Sequence, residues 1–235
     1  MQAIVFGGSS GLGAATARAL SERFAKVLIA DKKVVERKEN TEFVECNVCS
    51  EKDVSKAFDR VPDANVAINC AGIGFARKVF SKKHGTHPLE DFERVLRVNV
   101  LGSFNVARLA SERFVQRNTN GLIINTASIA AFEGQRGQVA YAASKGAVAA
   151  MTLPLARDLA EHSIRVVTIA PGLFRTPLLE ALPESVQTDL ANSILFPSRL
   201  GLPEEFAKLV LAIIDNDYIN GTVIRLDGAL RMPSG

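Results

Sequence analysis

Tryptophan is absent from the 235 residues, tyrosine occurs twice and cysteine three times. Cys46, Cys49 and Cys70 are too few, and odd in number, for a disulfide framework, so the fold must be held by its core. "CNVC", Cys46 to Cys49, has C-x-x-C spacing, but zinc needs two more ligands and no second pair exists. A redox pair and the plain end of a buried strand both stay open for it. Histidine is equally scarce. His84 and His87 share one loop, His162 ends a helical pattern, and no H-E-x-x-H accompanies them, so no metal is expected. No sign of charge dominates: 28 Lys and Arg against 25 Asp and Glu leave +3, which calls for neither nucleic acid nor an anionic membrane. The apolar runs look too short to cross a bilayer. Met1 leads almost at once into one of them, without a basic leader or cleavage site. The expectation is a cytoplasmic protein, with the mitochondrial matrix as the alternative if a targeting segment is missing from this chain. Linkers, low-complexity stretches and long-period repeats are missing as well. A hydrophobic content of 47% over this length suffices for one well-cored domain, residues 1–235, rather than two.

What is present is an alternation. "AIVFGG" (Ala3–Gly8) is an apolar run closed by glycines, a helical pattern follows, and "KVLIAD" (Lys26–Asp31) is apolar again, the size of one βαβ unit. Further strand-like runs are "EFVECNV" (Glu42–Val48), "NVAINCAG" (Asn65–Gly72), "GLIINTAS" (Gly121–Ser128), "IRVVTIAPG" (Ile164–Gly172) and "TVIRLDG" (Thr222–Gly228). Amphipathic helices are predicted over Glu51–Arg60, Leu89–Gln116, Val139–Glu161 and Glu204–Asp215, and a turn or irregular loop between Asp31 and Glu42. Pro154 predicts a kink or break in the third helix, because it removes a backbone donor. The fold class is α/β: a doubly wound parallel sheet of about seven strands with helices on both faces.

Ligands of such sheets sit beyond the carboxyl ends of the strands. After the first strand stands "GGSSGLG", where Gly7, Ser10, Gly11, Leu12 and Gly13 are candidate contacts for a dinucleotide pyrophosphate at a helix N-terminus. After the second stands Asp31, an acid positioned to accept from both adenosine ribose hydroxyls and to repel a 2′-phosphate. It favours NAD over NADP, although Lys32 and Lys33 weaken that discrimination. Asn47 and Val48 follow the third strand, where adenine is expected. Cys70, Ala71 and Gly72 follow the fourth, Ser128 the fifth, and Pro171, Phe174 and Thr176 the sixth. Thr176 is positioned to meet a carboxamide. "YAASK" puts Tyr141 and Lys145 four apart, on one helix face.

The glycine turn, "NCAG", Asn99 in "RVNVLG", Ser128, "YAASK" and "PG…TP" occur in an order that resembles the short-chain dehydrogenases/reductases over essentially the whole chain. The resemblance implies one Rossmann-type domain, a nicotinamide cofactor and a homotetramer or dimer. "NTASIAAFEGQRGQVAYAASKGAVAAMTLPLARDLA", "IAPGLFRTPLLEALPE", "FPSRLG" and "NGTVIRLDGALRM" are similar to the type II 3-hydroxyacyl-CoA dehydrogenases, a group overlapping the hydroxysteroid dehydrogenases. That implies NAD-dependent interconversion of 3-hydroxyacyl-CoA and 3-ketoacyl-CoA in fatty acid metabolism. Three positions depart from the pattern: Phe6 stands where Thr usually opens the glycine motif, Asn47 where an Asp is usual, and Arg175 where a small or acidic residue is usual.

Oxidising a secondary alcohol needs a hydride acceptor, a base for the hydroxyl proton and a donor for the developing oxyanion. Tyr141 is the candidate acid/base. Free tyrosine titrates near ~10, and the Lys145 ammonium is expected to lower that value and to reach the nicotinamide ribose, to which Tyr141 would also lie close. The resemblance gives Ser128 the substrate oxygen and Asn99 a water chain that relays the proton. "FARKVFSKKHGTHPLEDF" (Phe75–Phe92) brings Arg77, Lys78, Lys82 and Lys83 to the ligand edge. It is either a dock for CoA phosphates or a solvated charged loop. Residues 173–200 form either a lid over the substrate or part of the core packing. A dehydrogenase of steroids or other secondary alcohols, and a non-catalytic NAD-binding sensor or scaffold, are the competing functions.

Overall fold

The computed structural model describes residues 1–33, 40–180 and 183–234. Strand β1 (Gln2–Phe6) is followed by α1 (Gly11–Ser21), β2 (Lys26–Asp31), β3 (Thr41–Glu45), α2 (Glu51–Arg60) and β4 (Ala64–Asn69). β5 (Phe80–Ser81) and β6 (Gly85–Thr86) make a separate antiparallel hairpin. Next come α3 (Leu89–Leu96), α4 (Gly102–Gln116), β7 (Gly121–Thr126), α5 (Val139–Leu159), β8 (Ile164–Pro171), α6 (Pro177–Glu180), α7 (Glu184–Asn192), α8 (Pro203–Asp215) and β9 (Val223–Leu226). Seven parallel strands form one sheet in the order β3-β2-β1-β4-β7-β8-β9, as the alternation predicts. The turn or loop expected between Asp31 and Glu42 falls largely on residues 34–39, outside the described residues.

The strands read as unbroken apolar runs because both faces are covered. Successive side chains point to opposite faces. Ile4, Phe6, Leu28, Ile123 and Val166 pack with Phe58 of α2 and with Val106 and Phe114 of α4. Val5, Val27, Ile68, Ile124 and Val167 pack with Leu20 of α1 and with Phe206 and Val210 of α8. Full burial of one such side chain contributes about 1.5–3 kcal/mol, and it is this two-sided core that fixes the register.

Two helices differ from expectation. Leu89–Gln116 is not one helix: a π-helical turn, Arg97–Leu101, separates α3 from α4. Its wider turn carries Asn99, which is fully buried. Such turns recur at functional sites. Conversely, α5 runs through Pro154 without a break; its packing on β8 and on the short 3₁₀ turn Ile129–Ala131 outweighs the lost donor. With its 3₁₀ extension, Val139–His162 is also long and apolar enough to cross a membrane by length and composition, against the expectation from the shorter runs. Alanine and leucine around the buried Lys145 account for that hydropathy.

After β8 the chain leaves through Phe174, which bridges to Gly201, so residues 173–200 form a loop closed at its root. Leu173, Leu179, Ile194 and Leu200 pack there with Ile129 and Leu230. A cavity of ≈ 110 Å³ lies behind this root, lined in part by Phe174, Ile194, Pro197 and Arg199. Further out, Leu195 and Phe196 are exposed.

Candidate functional site

The glycine turn closes on itself by contacts that only glycine permits. Gly7 has φ +72°, and a Cβ there would lie 2.5 Å from the backbone nitrogen of Ala71, after β4. β1 and β4 are the neighbours between which the strand order reverses, the place where sheets of this kind bind ligands. A Cβ on Gly13 would lie 2.1 Å from the Gly7 carbonyl, and one on Gly11 would lie 3.2 Å from Thr176 Cγ2. The turn, "NCAG" and the segment after β8 are therefore in mutual contact. Ser10 caps α1 with extended backbone but no side-chain bond, and the first turn holds no acid, so its N–H groups stand open to an anion. These features fit a dinucleotide.

Asp31 stands beside the turn, its Oδ2 accepting from the Ser9 N–H (3.0 Å) and Oδ1 from the Lys33 N–H (3.1 Å). Each oxygen keeps accepting capacity for a ribose hydroxyl. Phe6 replaces the hydroxyl of the family's usual threonine with packing: its buried ring lies 5.9 Å from that of Phe58, and the Gly7 N–H still reaches the Ala30 carbonyl at 2.8 Å.

Asn47 Oδ1 accepts from the Cys49 N–H (3.2 Å), and the Asn47 N–H donates to Asp53 Oδ2 (3.0 Å). This turn leaves the amide nitrogen out of those bonds. Val48 is buried under Gly102, where a Cβ would meet its Cγ2 at 2.6 Å. Burial pushes the Cys46 thiol up to about 12 and raises that of Cys49. A redox pair works through an accessible thiolate, which these raised thiols disfavour; "CNVC" is not the end of a strand either, but the turn that follows β3, which stops at Glu45. Among the described residues no His, Cys, Asp and Glu cluster could hold a metal.

At the other end of the cleft the reacting candidates come together. Ser128 follows β7, accepts from the Ala130 N–H at 3.1 Å, and its hydroxyl is close enough to that of Tyr141 to act on its titration. Lys145 is buried, donates to the Thr126 carbonyl at 2.7 Å and lies 5.8 Å from the centre of the Tyr141 ring. A Cβ on exposed Gly72 would lie 3.2 Å from Asn99 Oδ1 and 3.4 Å from Lys145 Nζ. Asn99 clamps the loop after β4: its Oδ1 accepts from the Ile73 N–H (2.8 Å), and its Nδ2 donates to the Ile73 carbonyl (2.9 Å) and Ser144 Oγ (2.9 Å).

The charges correct one expectation. Burial raises the Tyr141 phenol above its ordinary value, and the Ser128 hydroxyl works against this. Lys145 itself is pushed down to about 8 by burial, opposed by Cys70. Sharing a helix face with a lysine does not set the sign of the shift, because burial of the phenol is the larger effect. The Phe174 ring turns into the core against Phe206, 6.5 Å away, which leaves its main chain as the part that could meet a cofactor. Leu12 likewise packs toward the core. Pro171 ends β8 and is buried.

The family model for the short chain dehydrogenases matches residues 1–187. The chain belongs to that family. A human protein named 3-hydroxyacyl-CoA dehydrogenase type-2 is 52% identical over 98% of this chain and 95% of its own length. The protein of that name from Drosophila melanogaster is 50% identical over 97% and 96%. The crystal structure of 3-hydroxyacyl-CoA dehydrogenase type-2 from Mycobacterium avium superposes with a TM-score of 0.92, at 37% identity, covering 100% of this chain and 97% of that one. This short-chain dehydrogenase is accordingly an oxidoreductase that works with a nicotinamide cofactor.

The dehydrogenase also uses residues that no motif pointed to. Thr126 acts through its carbonyl, which its side chain does not advertise. Ser144 lies between Tyr141 and Lys145 in sequence; its Oγ donates to the Tyr141 carbonyl at 2.7 Å and accepts from Asn99 Nδ2 at 2.9 Å, and its position in "YAASK" was the available signal.

Proposed function

We propose that this chain interconverts 3-hydroxyacyl-CoA and 3-ketoacyl-CoA with NAD, Tyr141 being the acid/base. The observation that carries the reading is the hydroxyl pair Ser128–Tyr141 beside Lys145 and the exposed Gly72, in a chain about half identical to proteins named for that substrate. Nicotinamide, when bound, exchanges the hydride. Ser128 and Tyr141 then hold one substrate oxygen between them. Tyr141 gives its proton to that oxygen in ketone reduction, becoming a phenolate, and as phenolate takes the hydroxyl proton in alcohol oxidation. Ser128 Oγ–H stabilises the oxyanion. Lys145, anchored at Thr126, lies beside the ribose position next to Gly72. Asn99 is a positioning residue whose side chain fixes Ile73. Its main-chain carbonyl accepts from Ser103 Oγ at 2.7 Å and is the group we assign to the water relay.

The Asp31 carboxylate supports NAD over NADP. The basic hairpin supports an acyl-CoA over an uncharged steroid: Lys82 and Lys83 are exposed in the β5–β6 turn, and the hairpin base is tied to the segment before Tyr141 by the Arg77 N–H on the Gly137 carbonyl (2.7 Å). Arg77 Nη2 donates inward to the carbonyls of His84 and Thr86, whereas both lysines are exposed, so the lysines are the proposed phosphate contacts. Residues 173–200 are the proposed lid. Exposed Leu101, Phe104 and Val115 around α4 and Leu153 on α5 support a homotetramer in which a second copy of the chain, rather than lipid, covers that face.

The test is a ketone panel followed by cofactor oxidation: acetoacetyl-CoA and a steroid ketone, each with NADH and NADPH. Turnover of acetoacetyl-CoA with NADH preferred is the expected result. Turnover of the steroid ketone alone, or NADH binding without any turnover, would overturn the reading in favour of the steroid or the sensor alternative.

A further inference from the structure

We propose that Glu133 and Arg225 form a clasp that positions Ser128 and Tyr141, fastening the C-terminal residues 230–234 as a strap along that wall of the cleft. The proposal rests on the reading of Ser128 and Tyr141 as the reacting pair. Arg225, on β9, meets Glu133 fork to fork: Nη1 donates to Oε1 (2.8 Å) and Nη2 to Oε2 (3.1 Å). Its Nε donates to Asp227 Oδ2 (2.7 Å), and Nη2 also reaches the Leu230 carbonyl (3.0 Å). Every guanidinium nitrogen is therefore used, in the planar geometry that lysine does not reproduce. Glu133 in turn accepts from the Met232 N–H (3.2 Å) and pairs with Arg231 Nε (3.3 Å). Beyond it, Gln135 Nε2 donates to the Pro233 carbonyl (3.3 Å) and the Arg136 N–H to that of Ser234 (3.0 Å). Both partners of the bidentate pair are mostly buried, with side chains 23% and 21% exposed, so the bonds are partly shielded from competing water.

Neither Glu133 nor Arg225 is among the bonded partners of Ser128 and Tyr141; they act through the chain between. Ser128 to Glu133 is one tight turn, with the Ala131 N–H on the Ser128 carbonyl (3.0 Å) and the Glu133 N–H on that of Ile129 (3.0 Å). Glu133 and Ser128 thus belong to one hydrogen-bonded turn. Gly134 follows at once, and a Cβ there would stand 2.7 Å from Ala142 Cβ, the neighbour of Tyr141. Beneath the turn, Ile129 packs with Leu230 of the strap. The clasp holds the turn from outside, and Gly134 passes its position to the helix that carries Tyr141.

The chain has no tryptophan and two tyrosines. Tyr218→Phe therefore gives a parent in which phenolate absorbance reports Tyr141 alone, without any substrate. In that parent, Glu133→Gln keeps the side-chain shape and removes the charge. We expect Tyr141 to titrate closer to the ordinary tyrosine value than in the parent, because its surroundings loosen. We also expect kcat for acetoacetyl-CoA to fall about 10- to 100-fold, the cost of a small misplacement, with Kd for NADH unchanged. Arg225→Lys, which keeps the charge without the fork, gives the same direction at smaller size, and stands in if Glu133→Gln does not fold. A variant that lowers Tm but leaves the Tyr141 titration and kcat as in the parent would show a merely structural ion pair and overturn the clasp. A parent that never reduces acetoacetyl-CoA would overturn the functional reading instead, while the Tyr141 titration still decides the clasp.

Discussion

Lys145 Nζ lies 2.7 Å from the carbonyl oxygen of Thr126, and this bond, not an approach to Tyr141, fixes where the ammonium stands. The lysine is held at the base of the cleft between the strand that ends before Ser128 and the helix that carries Tyr141. Its charge is buried there, which brings its titration to about 8. The site thus stores a charge that the folded protein holds at a cost in the absence of ligand.

That cost depends on pH in a definite sense. Unfolded lysine titrates near the ordinary 10.5, folded Lys145 near about 8. Between these values the unfolded chain binds a proton that the folded protein has shed, so stability from this group rises with pH. The raised cysteines, ordinarily at 9.0, act in the opposite sense at higher pH, so the comparison is with Lys145→Met. Denaturant unfolding of both proteins without cofactor should show wild type gaining on the variant by on the order of 3 kcal/mol between those pH values. A difference that stays flat with pH would rule out the buried charge.

Asp31 is predicted to choose the cofactor. Asp31→Ser removes the carboxylate that repels a 2′-phosphate and the acceptor for the Ser9 N–H. The expected outcome is at least a tenfold fall in kcat/KM for NADH, on the order of one lost charge-assisted hydrogen bond, with NADPH less disfavoured than in wild type. An unchanged ratio of the two would remove Asp31 from the discrimination.

The hairpin prediction separates CoA docking from chemistry. Lys82→Glu with Lys83→Glu should raise KM for acetoacetyl-CoA several-fold, more at low salt, because exposed charges are screened within ~10 Å at 0.1 M. kcat and KM for NADH should not move. If KM for acetoacetyl-CoA also stays put, the hairpin is a solvated charged loop.

Ser128→Ala should lower kcat by about 10²- to 10³-fold, the usual effect of removing one oxyanion donor. It should also raise the Tyr141 titration further, since the Ser128 hydroxyl is what opposes burial. Loss of activity without any movement of Tyr141 would mean that the two hydroxyls do not interact in solution.

Sequence patterns carried the sheet and the strand-end residues a long way, because parallel strands buried on both faces leave unbroken apolar runs and glycines mark the closest backbone approaches. Gly7, Gly13 and Asp31 lie where those rules put them. What the pattern could not carry is tertiary. Asn99 is marked by the resemblance, but the helical pattern around it does not show the π-helical turn that directs its side chain onto Ile73. Pro154 reads as a break until the packing of α5 is known. The Tyr141–Lys145 spacing suggests a direct charge effect, yet burial of the phenol is the larger effect, and Thr126, 19 residues away from the lysine, takes the ammonium. Glu133 and Arg225, 92 residues apart, have no local signature at all.

Turnover by Tyr141→Phe is the most direct test. The variant keeps the ring that lies beside Lys145 and removes only the hydroxyl that faces Ser128. With saturating acetoacetyl-CoA and NADH, the account predicts a kcat about 10²- to 10⁴-fold below wild type, the range of general acid–base catalysis, with NADH still bound. Near wild-type turnover by this variant would contradict the account.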